Sequence, residues 1–324
     1  MRAVLCKAYG PPESLVVEEV ESPTPGRGQA VVSVKACGVN FPDTLIIQGK
    51  YQFKPPMPFS PGGEIAGVVK EVGAGVERVK VGDRVIAFTG AGGFAEEVLV
   101  DAASVIRMPE GLDFDVAASF VMTYGTDIHA LKDRANLQPG ERLLVLGAAG
   151  GIGLAAVELG ALMGARVIAA ASSEEKLAVC MQHGASDAIN YSNEDLKERV
   201  KALTGGQGVD VVVDPVGGEY SEAALRGMAW NGRFLVVGFT AGEIPRIPLN
   251  LALLKGCSIV GVFWGSFAAR EPERNQANIQ QLLDWLQEGK LRPRISARYP
   301  LERAADALND IISRKVTGKV VLMV

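Results

Sequence analysis

Leu143-Leu144-Val145-Leu146-Gly147-Ala148-Ala149-Gly150-Gly151-Ile152-Gly153 is the stretch that decides the fold. Its four leading apolar residues read as a buried strand and its glycines as a tight turn. Behind the turn, Ile152, Ala156, Leu159 and Met163 share one helical face, so the helix can pack on a sheet. Glycines in such a turn let the backbone approach a pyrophosphate, which then rests on the N–H groups at the helix start. A lone glycine fingerprint is a weak signal. Here the strand, the helix and a second strand at Arg166–Ala171 are all present, which makes a dinucleotide site the expectation. Ala149, Gly150, Gly151 and Ile152 are its phosphate-side residues. The loop reads AAGGIG, with Ala148 standing where the generic pattern has a glycine.

The second strand ends at Ala171-Ser172-Ser173, where NAD-specific sites place a carboxylate on the ribose 2′-OH. Two hydroxyls and, one turn later, Lys176 stand there instead, a set suited to a 2′-phosphate and hence to NADPH. A second reading stays open: Ser172 with Glu175 forms a capping box, and Lys176 is a solvated helix residue. Glu174 and Glu175 count mildly against a neighbouring phosphate.

Outward from the loop, a helix is expected from Glu174 to His183, closed by Gly184, and further strands at Val209–Asp214 and Arg233–Gly238. Alternating helices and uninterrupted apolar strands predict an α/β fold, a doubly wound parallel sheet. The first third reads differently. Ala30–Cys37, Ile65–Val72, Arg84–Phe88 and Phe94–Val100 are short strands separated by Gly turns, which suggests a folded-over antiparallel barrel. After Asn250 the pattern gives a strand at Ser258–Trp264, an amphipathic helix near Asn275–Glu288 and a last strand at Lys319–Val324. The expected division is 1–122, 123–263, and a return to the first domain over 264–324.

With 324 residues, two domains are the natural expectation. Apolar residues at 48% and charged residues at 22% describe a globular enzyme. A net charge of −4 argues against a nucleic-acid footprint or a polybasic membrane patch. The longest uncharged apolar stretch, Leu143–Val157, is too short to span a bilayer and carries four glycines. No secretory h-region opens the chain, so a cytoplasmic location is expected. Cys6, Cys37, Cys180 and Cys257 are scattered without paired spacing, which points away from a disulfide framework or a structural zinc site. Neither His129 nor His183 is given a catalytic role.

Taken together, AAGGIG after LLVLG, VDVVVDPVGG at Val209–Gly218, GRFLVVGF at Gly232–Phe239 and TGKVVLMV at Thr317–Val324 resemble the zinc-free quinone oxidoreductases. These belong to the medium-chain dehydrogenase/reductase superfamily. CGVNFPD at Cys37–Asp43 and GVERVKVGDRV ending at Val85 add to the likeness, which covers the chain in order. Leu249-Asn250-Leu251 and Gly261-Val262-Phe263-Trp264-Gly265 look most similar to the quinone oxidoreductase-like protein 2 branch.

The resemblance implies a Rossmann domain inserted in a GroES-like β-barrel domain, and a homodimer joined by edge strands, here Ser258–Trp264. Zinc-dependent alcohol dehydrogenases of the superfamily carry a Cys and a His where this chain has Asn40 and Gly63, so no catalytic zinc is expected. Without a Lewis acid, the acceptor must already be electrophilic: a quinone or an enone. The resemblance makes Tyr51 and Asn40 the catalytic candidates, Tyr51 as a phenol aimed at the developing oxyanion. The competing view of Tyr51 is an amphipathic loop residue, and Asp43 is read as structural. Thr126, Tyr191, Val216 and Lys319 are implied cofactor contacts, with Phe239, Phe263 and Trp264 as an apolar wall beside nicotinamide. Three other functions compete: an enoyl or enone reductase, a non-catalytic NADPH-binding sensor or structural protein, and a zinc alcohol dehydrogenase.

Overall fold

The computed structural model describes residues 1–324. The chain forms two compact units, Met1–Met122 with Pro293–Val324, and Thr123–Arg292.

In the first unit, β1 (Arg2–Leu5) and β2 (Val16–Glu19) form an antiparallel pair. The long strand β3 (Gln29–Val39) leads into α1 (Phe41–Ile46). Next come β4 (Glu64–Val72), β5 (Arg84–Phe88), β6 (Glu97–Asp101), β7 (Ile106–Arg107) and the short α2 (Phe114–Ala117). β3 is antiparallel to β4 along one edge and to β6 along the first half of the other. Its alternation of apolar residues supplies much of this unit's core, with Ala30, Val32, Val34 and Cys37 buried. β6 starts later than the expected strand, because Phe94 and Ala95 are held by single contacts to Val4 and Ala3.

The second unit opens with α3 (Val121–Ile128), whose first two residues belong to the first unit and which continues as a π-helix over His129–Arg134. Then follow β8 (Arg142–Leu146), α4 (Gly151–Leu162), β9 (Arg166–Ala171), α5 (Glu174–Gln182) and β10 (Asp187–Asn190). The second half contains α6 (Leu196–Leu203), β11 (Val209–Asp214), α7 (Glu219–Arg226) and β12 (Met228–Val236). It ends with α8 (Asn250–Lys255), β13 (Ser258–Gly261), α9 (Trp264–Arg270) and α10 (Pro272–Gln287). All its strands are parallel, in the order β10-β9-β8-β11-β12-β13. Counting from β8, this is the doubly wound order 3-2-1-4-5-6, with its switch point between β8 and β11.

The tail returns to the first unit as β14 (Ile295–Pro300), α11 (Ala304–Ile312) and β15 (Lys319–Met323). β15 runs antiparallel to the second half of β3, and β14 lies parallel to β15.

Two expectations are corrected here. The return comes at Pro293, not at residue 264, because α9 and α10 pack on the second unit. There Lys132 donates to Asn278 at 3.0 Å, Asn278 donates to Asp133 at 2.8 Å, and Ile279, Leu282 and Leu283 are buried. The strand expected at Ser258–Trp264 ends at Gly261; Trp264 begins α9 and donates its Nε1–H to Asn275 at 3.0 Å.

Helix α4 is covered on more than the one face expected of it: Leu154 through Gly160 are all buried. Among them Glu158 accepts from the Tyr124 hydroxyl at 2.6 Å and the Arg292 N–H at 3.2 Å, and pairs with the His183 ring at 2.5 Å. One carboxylate thereby ties both ends of the second unit to the helix behind the glycine loop. Both histidines are structural. His183 caps α5, and His129 stacks on Phe267 and pairs with Asp133 at 3.0 Å.

Asp127 in α3 is fully buried, with neither carboxylate oxygen hydrogen-bonded. Burial raises its pKa well above the usual value. A raised folded-state pKa gives stability that is complete below the unfolded value and lost as pH rises through the folded one. Asp127→Asn therefore removes that loss. Its melting temperature should exceed the parent's by a margin that grows from pH 5 to pH 8, worth about 1–3 kcal/mol. A constant or shrinking margin in paired thermal melts would refute this.

Candidate active site

In the second unit the glycine loop leaves β8 at the switch point. Gly147 has φ +57°, and a side chain there would meet Val216 Cγ2 at 2.7 Å. At Gly153 an added Cβ would lie 2.2 Å from the Gly147 carbonyl oxygen, so only glycine lets the loop close on the start of α4. Gly150 is the N-cap, with an extended backbone, and its nearest atom to an added Cβ is the Gly147 oxygen at 3.4 Å. The loop is thus closed on the protein side and open at Gly150, as a backbone cradle for an anion at the start of a twelve-residue helix must be.

The facing turn, after β11, is organised by buried Asp214. Its Oδ1 accepts the N–H groups of Val216 and Gly217, each at 2.8 Å, and its Oδ2 accepts the Ser221 hydroxyl at 2.5 Å. These bonds fix Val216 against Gly147. The neighbouring Gly217 has φ +73°, and Phe239 lies against it. Asp214 is not among the expected site residues; an acid closing an apolar strand directly before a Pro-Val-Gly-Gly turn is its sequence signal.

At the tip of β9, Ser172, Ser173 and Lys176 converge: the Lys176 ammonium donates to Ser172 Oγ at 3.1 Å. The helix cap is Ser173, accepting the Lys176 N–H at 3.4 Å, not Ser172 as the capping-box alternative required. Glu174 accepts from the Asn190 amide at 2.7 Å, so its carboxylate has a local partner. Tyr191 joins this corner through its N–H to the Ala171 carbonyl at 3.2 Å and packs at a tilt of 37° against Tyr220, centroids 4.3 Å apart. This corner fits the 2′-phosphoadenosine end of a dinucleotide, with two hydroxyls, an ammonium and an aromatic face.

Thr126 is buried in α3, with the neighbouring Gly125 lying against the Trp264 indole. Trp264 is 5% exposed and Phe263 59% exposed, so of this aromatic pair only Trp264 is a core residue.

In the first unit Asn40, Asp43, Glu64 and Lys319 are all buried. Asn40 Nδ2 donates to Glu64 Oε2 at 3.0 Å and to the Gly38 carbonyl at 3.3 Å, while its Oδ1 accepts from Lys319. Lys319 also donates to Glu64 Oε2 at 3.1 Å. Glu64 Oε1 accepts the Met122 N–H at 2.8 Å, and Asp43 Oδ2 accepts the Asn40 N–H at 2.8 Å. Lys319, expected as a cofactor contact, turns its ammonium into this cluster of the first unit. The cluster also gives Asp43 the structural part expected of it. Burial lifts the Asp43 pKa to about 7 against the pull of the Asn40 N–H and Lys319. Tyr51 packs on the core beside this cluster; burial first, and Asp43 second, push its phenol pKa up. A phenol so placed stays protonated and suits hydrogen-bond donation to an oxyanion. Glu64 was not among the expected site residues; a carboxylate opening an apolar strand, Glu64–Val72, was the overlooked sign.

No group of three or more His, Cys, Asp and Glu side chains is arranged to hold a metal ion.

Comparison with known proteins agrees with this architecture. Residues 26–110 match the alcohol dehydrogenase GroES-like domain, and residues 151–288 match the zinc-binding dehydrogenase family. The fold is thus that of the two-domain medium-chain dehydrogenases/reductases, a Rossmann unit inserted in a GroES-like one. A quinone oxidoreductase-like protein 2 homolog of Nematostella vectensis is 44% identical over 325 residues, covering 99% of this chain and 88% of that protein. The quinone oxidoreductase of Thermus thermophilus, whose complex with NADPH is also solved, superposes with a TM-score of 0.87 at 35% identity, covering all of both chains. That of Escherichia coli, complexed with NADPH, gives a TM-score of 0.93 at 29% identity, again over the full length of both. The chain belongs to the quinone oxidoreductase family of this superfamily.

The loop geometry makes a contrast that can be measured. Gly153→Ala should lower unfolding stability by about 1–3 kcal/mol through its clash with the Gly147 carbonyl, whereas Gly150→Ala should stay near the parent value. Urea unfolding of the two variants decides; equal midpoints would contradict the close approach.

Proposed function

We propose that the chain reduces quinones or other conjugated carbonyl compounds with NADPH, without a catalytic zinc. The observation that carries this is the convergence of Ser172, Ser173 and Lys176 beside an open glycine cradle at the switch point. The solved relatives from Escherichia coli and Thermus thermophilus, both described with NADPH, support the same cofactor. In this reading Ala149–Ile152 carry the pyrophosphate, Ser172, Ser173, Lys176 and Tyr191 the 2′-phosphate and adenosine, and Thr126, Val216 and Phe239 the remaining length, with buried Trp264 backing Gly125 beside Thr126. Exposed Phe263 completes the apolar wall.

NADPH supplies a hydride. A quinone that takes up this hydride and a proton becomes a quinol; an enone takes the hydride at its β-carbon and the proton at its α-carbon. Tyr51 donates a hydrogen bond to the carbonyl oxygen as negative charge builds there. Asn40 is a positioning group, its amide being engaged with Glu64, Gly38 and Lys319. The donor set supports a zinc-independent reaction: an amide engaged on both sides at residue 40 and no side chain at Gly63. Tyr51 would serve an enone equally well, which keeps an enoyl thioester among the acceptors to test.

We further propose a homodimer formed through β13, the bare edge of the parallel sheet. Trp230, Leu249, Leu253, Leu254 and Ile259 are exposed on and around it, an apolar surface that a monomer would leave in water. The four cysteines are free, which suits a reducing compartment such as the cytoplasm. No helix is long and apolar enough to cross a membrane.

The deciding assay follows NADPH oxidation at 340 nm with 1,4-benzoquinone, 9,10-phenanthrenequinone and crotonyl-CoA, with EDTA present. Turnover of a quinone that EDTA leaves unchanged is expected. Activity on crotonyl-CoA alone would make the chain an enoyl reductase, and tight NADPH binding without turnover a sensor. Lys176→Ala should weaken NADPH binding roughly tenfold or more and leave NADH binding nearly unchanged, as loss of one charge-assisted contact to the 2′-phosphate requires. Equal loss for both cofactors, in fluorescence titrations, would overturn the phosphate assignment.

A further inference from the structure

The register of three strands brings Lys319 to a place that a surface lysine would not occupy. Val39 pairs with Val320 across one edge of β3, and Gly38 pairs with Glu64 across the other. Lys319 and Glu64, the first residues of β15 and β4, therefore flank the end of β3, where Asn40 follows. Their side chains close a ring: ammonium to amide oxygen, amide N–H to carboxylate, ammonium to the same carboxylate oxygen. Lys319 is 5% exposed and Glu64 0%.

A buried ion pair is a poor way to stabilise a fold, since well-packed apolar side chains of similar volume usually do as well or better. Its retention beside Tyr51 calls for another reason. The ring fixes the Asn40 carboxamide at both ends, so the amide cannot turn over, and one Oδ1 lone pair is left for a further donor. The ammonium also offsets Glu64 where reduction of a conjugated carbonyl would leave negative charge on oxygen.

We propose that Lys319 is a positioning residue for acceptor reduction, its buried ammonium fixing the Asn40 carboxamide and keeping the cluster around Tyr51 free of net negative charge. This rests on the reading of the chain as a conjugated-carbonyl reductase. The ionisable groups around the ammonium are Glu64 on β4, Asp43 on α1, Cys37 on β3 and the nearby Tyr51. Burial pushes the Cys37 thiol and the Tyr51 phenol up, so both stay neutral near pH 7, and Asp43 is the group that titrates there, at about 7. Below that pH Asp43 adds no charge to the cluster; above it, Asp43 adds a negative one. Turnover should therefore fall as pH rises through about 7, and a variant without the ammonium should show its fall at a higher pH, because Lys319 is one of the groups holding Asp43 down.

The test uses the full chain with Lys319→Met and Lys319→Ala. Lys319→Met should lose at least tenfold in kcat for 1,4-benzoquinone while its Kd for NADPH stays within twofold. In Lys319→Ala, methylammonium should restore part of kcat and raise the melting temperature; tetramethylammonium, which cannot donate a hydrogen bond, should do neither. An unchanged kcat in folded Lys319→Met overturns the proposal. So does a loss that appears in NADPH Kd, which would make Lys319 a cofactor ligand after all, and so does equal response to both amines. If Lys319→Met does not fold, the charge-balanced double variant with Glu64→Gln is measured in its place, and unchanged kcat there overturns the proposal equally. Wild-type protein that reduces none of the acceptors refutes the functional reading instead, and the melting response to methylammonium then still decides whether the ammonium holds the cluster.

Discussion

Strand β3 is paired along one edge by β4 and along the other first by β6 and then by β15, so three separate stretches of chain take their register from it. Because side chains alternate from face to face, a slip of one residue in either neighbour would turn its apolar set away from the core. The same slip would carry Glu64 or Lys319 away from Asn40 and leave a buried charge without its partner, which is far costlier than a displaced methyl group. Apolar alternation and the buried ion pair therefore specify one register. Gly38 contributes by absence: a Cβ there would lie 2.1 Å from the Ala118 carbonyl oxygen, so no other residue lets the chain after α2 pass so close.

The second unit depends on close approach of backbone to backbone at its switch point. Two turns meet there, one closed by Gly147 and Gly153, the other held by Asp214 through two N–H groups and a hydroxyl. Turns ordered before a ligand arrives do not lose that freedom on binding, and the affinity lost to ordering is correspondingly smaller. Burial raises the Asp214 pKa, with the three hydrogen bonds acting against it. Its strength as an organiser thus comes from being an acceptor for several donors at once.

The sequence was most legible where one local pattern had one structural solution. The continuous apolar runs gave β9 and β11 to the residue, and the glycine loop between strand and helix gave the switch point. Legibility failed where the answer depended on which surface an element covers. The periodicity around Ile279, Leu282 and Leu283 announces an amphipathic helix, but nothing in it says that Asn278 and Arg274 meet Asp133 of the second unit. Hence the pattern alone puts the return to the first unit at 264, 29 residues before it comes at Pro293. The Asn40–Glu64–Lys319 ring was hidden for a related reason. Its members lie 24 and 255 residues apart and are joined only by strand register, which single-strand patterns do not encode. Resemblance had flagged Asn40 and Lys319 separately, for different tasks.

The two edges of the parallel sheet are treated differently, and the difference bears on assembly. At one edge β10 reads Asp187-Ala188-Ile189-Asn190, with Asp187 paired to Arg166 at 2.8 Å and Asn190 bonded to Glu174. Polar and charged groups of this kind discourage a further strand from adding. At the other edge β13 reads Ser258-Ile259-Val260-Gly261, without charge, proline or bulge, and only its last carbonyl is covered, by Arg134 at 3.1 Å. Leu253 and Leu254, on the helix before it, are 79% and 68% exposed. The barest strand thus lies next to exposed leucines, while the opposite edge is protected. The proposed homodimer would account for the asymmetry by covering β13 and α8 with the same elements of a second copy. Such a contact would be self-complementary, close after two chains and leave the protected edge outside.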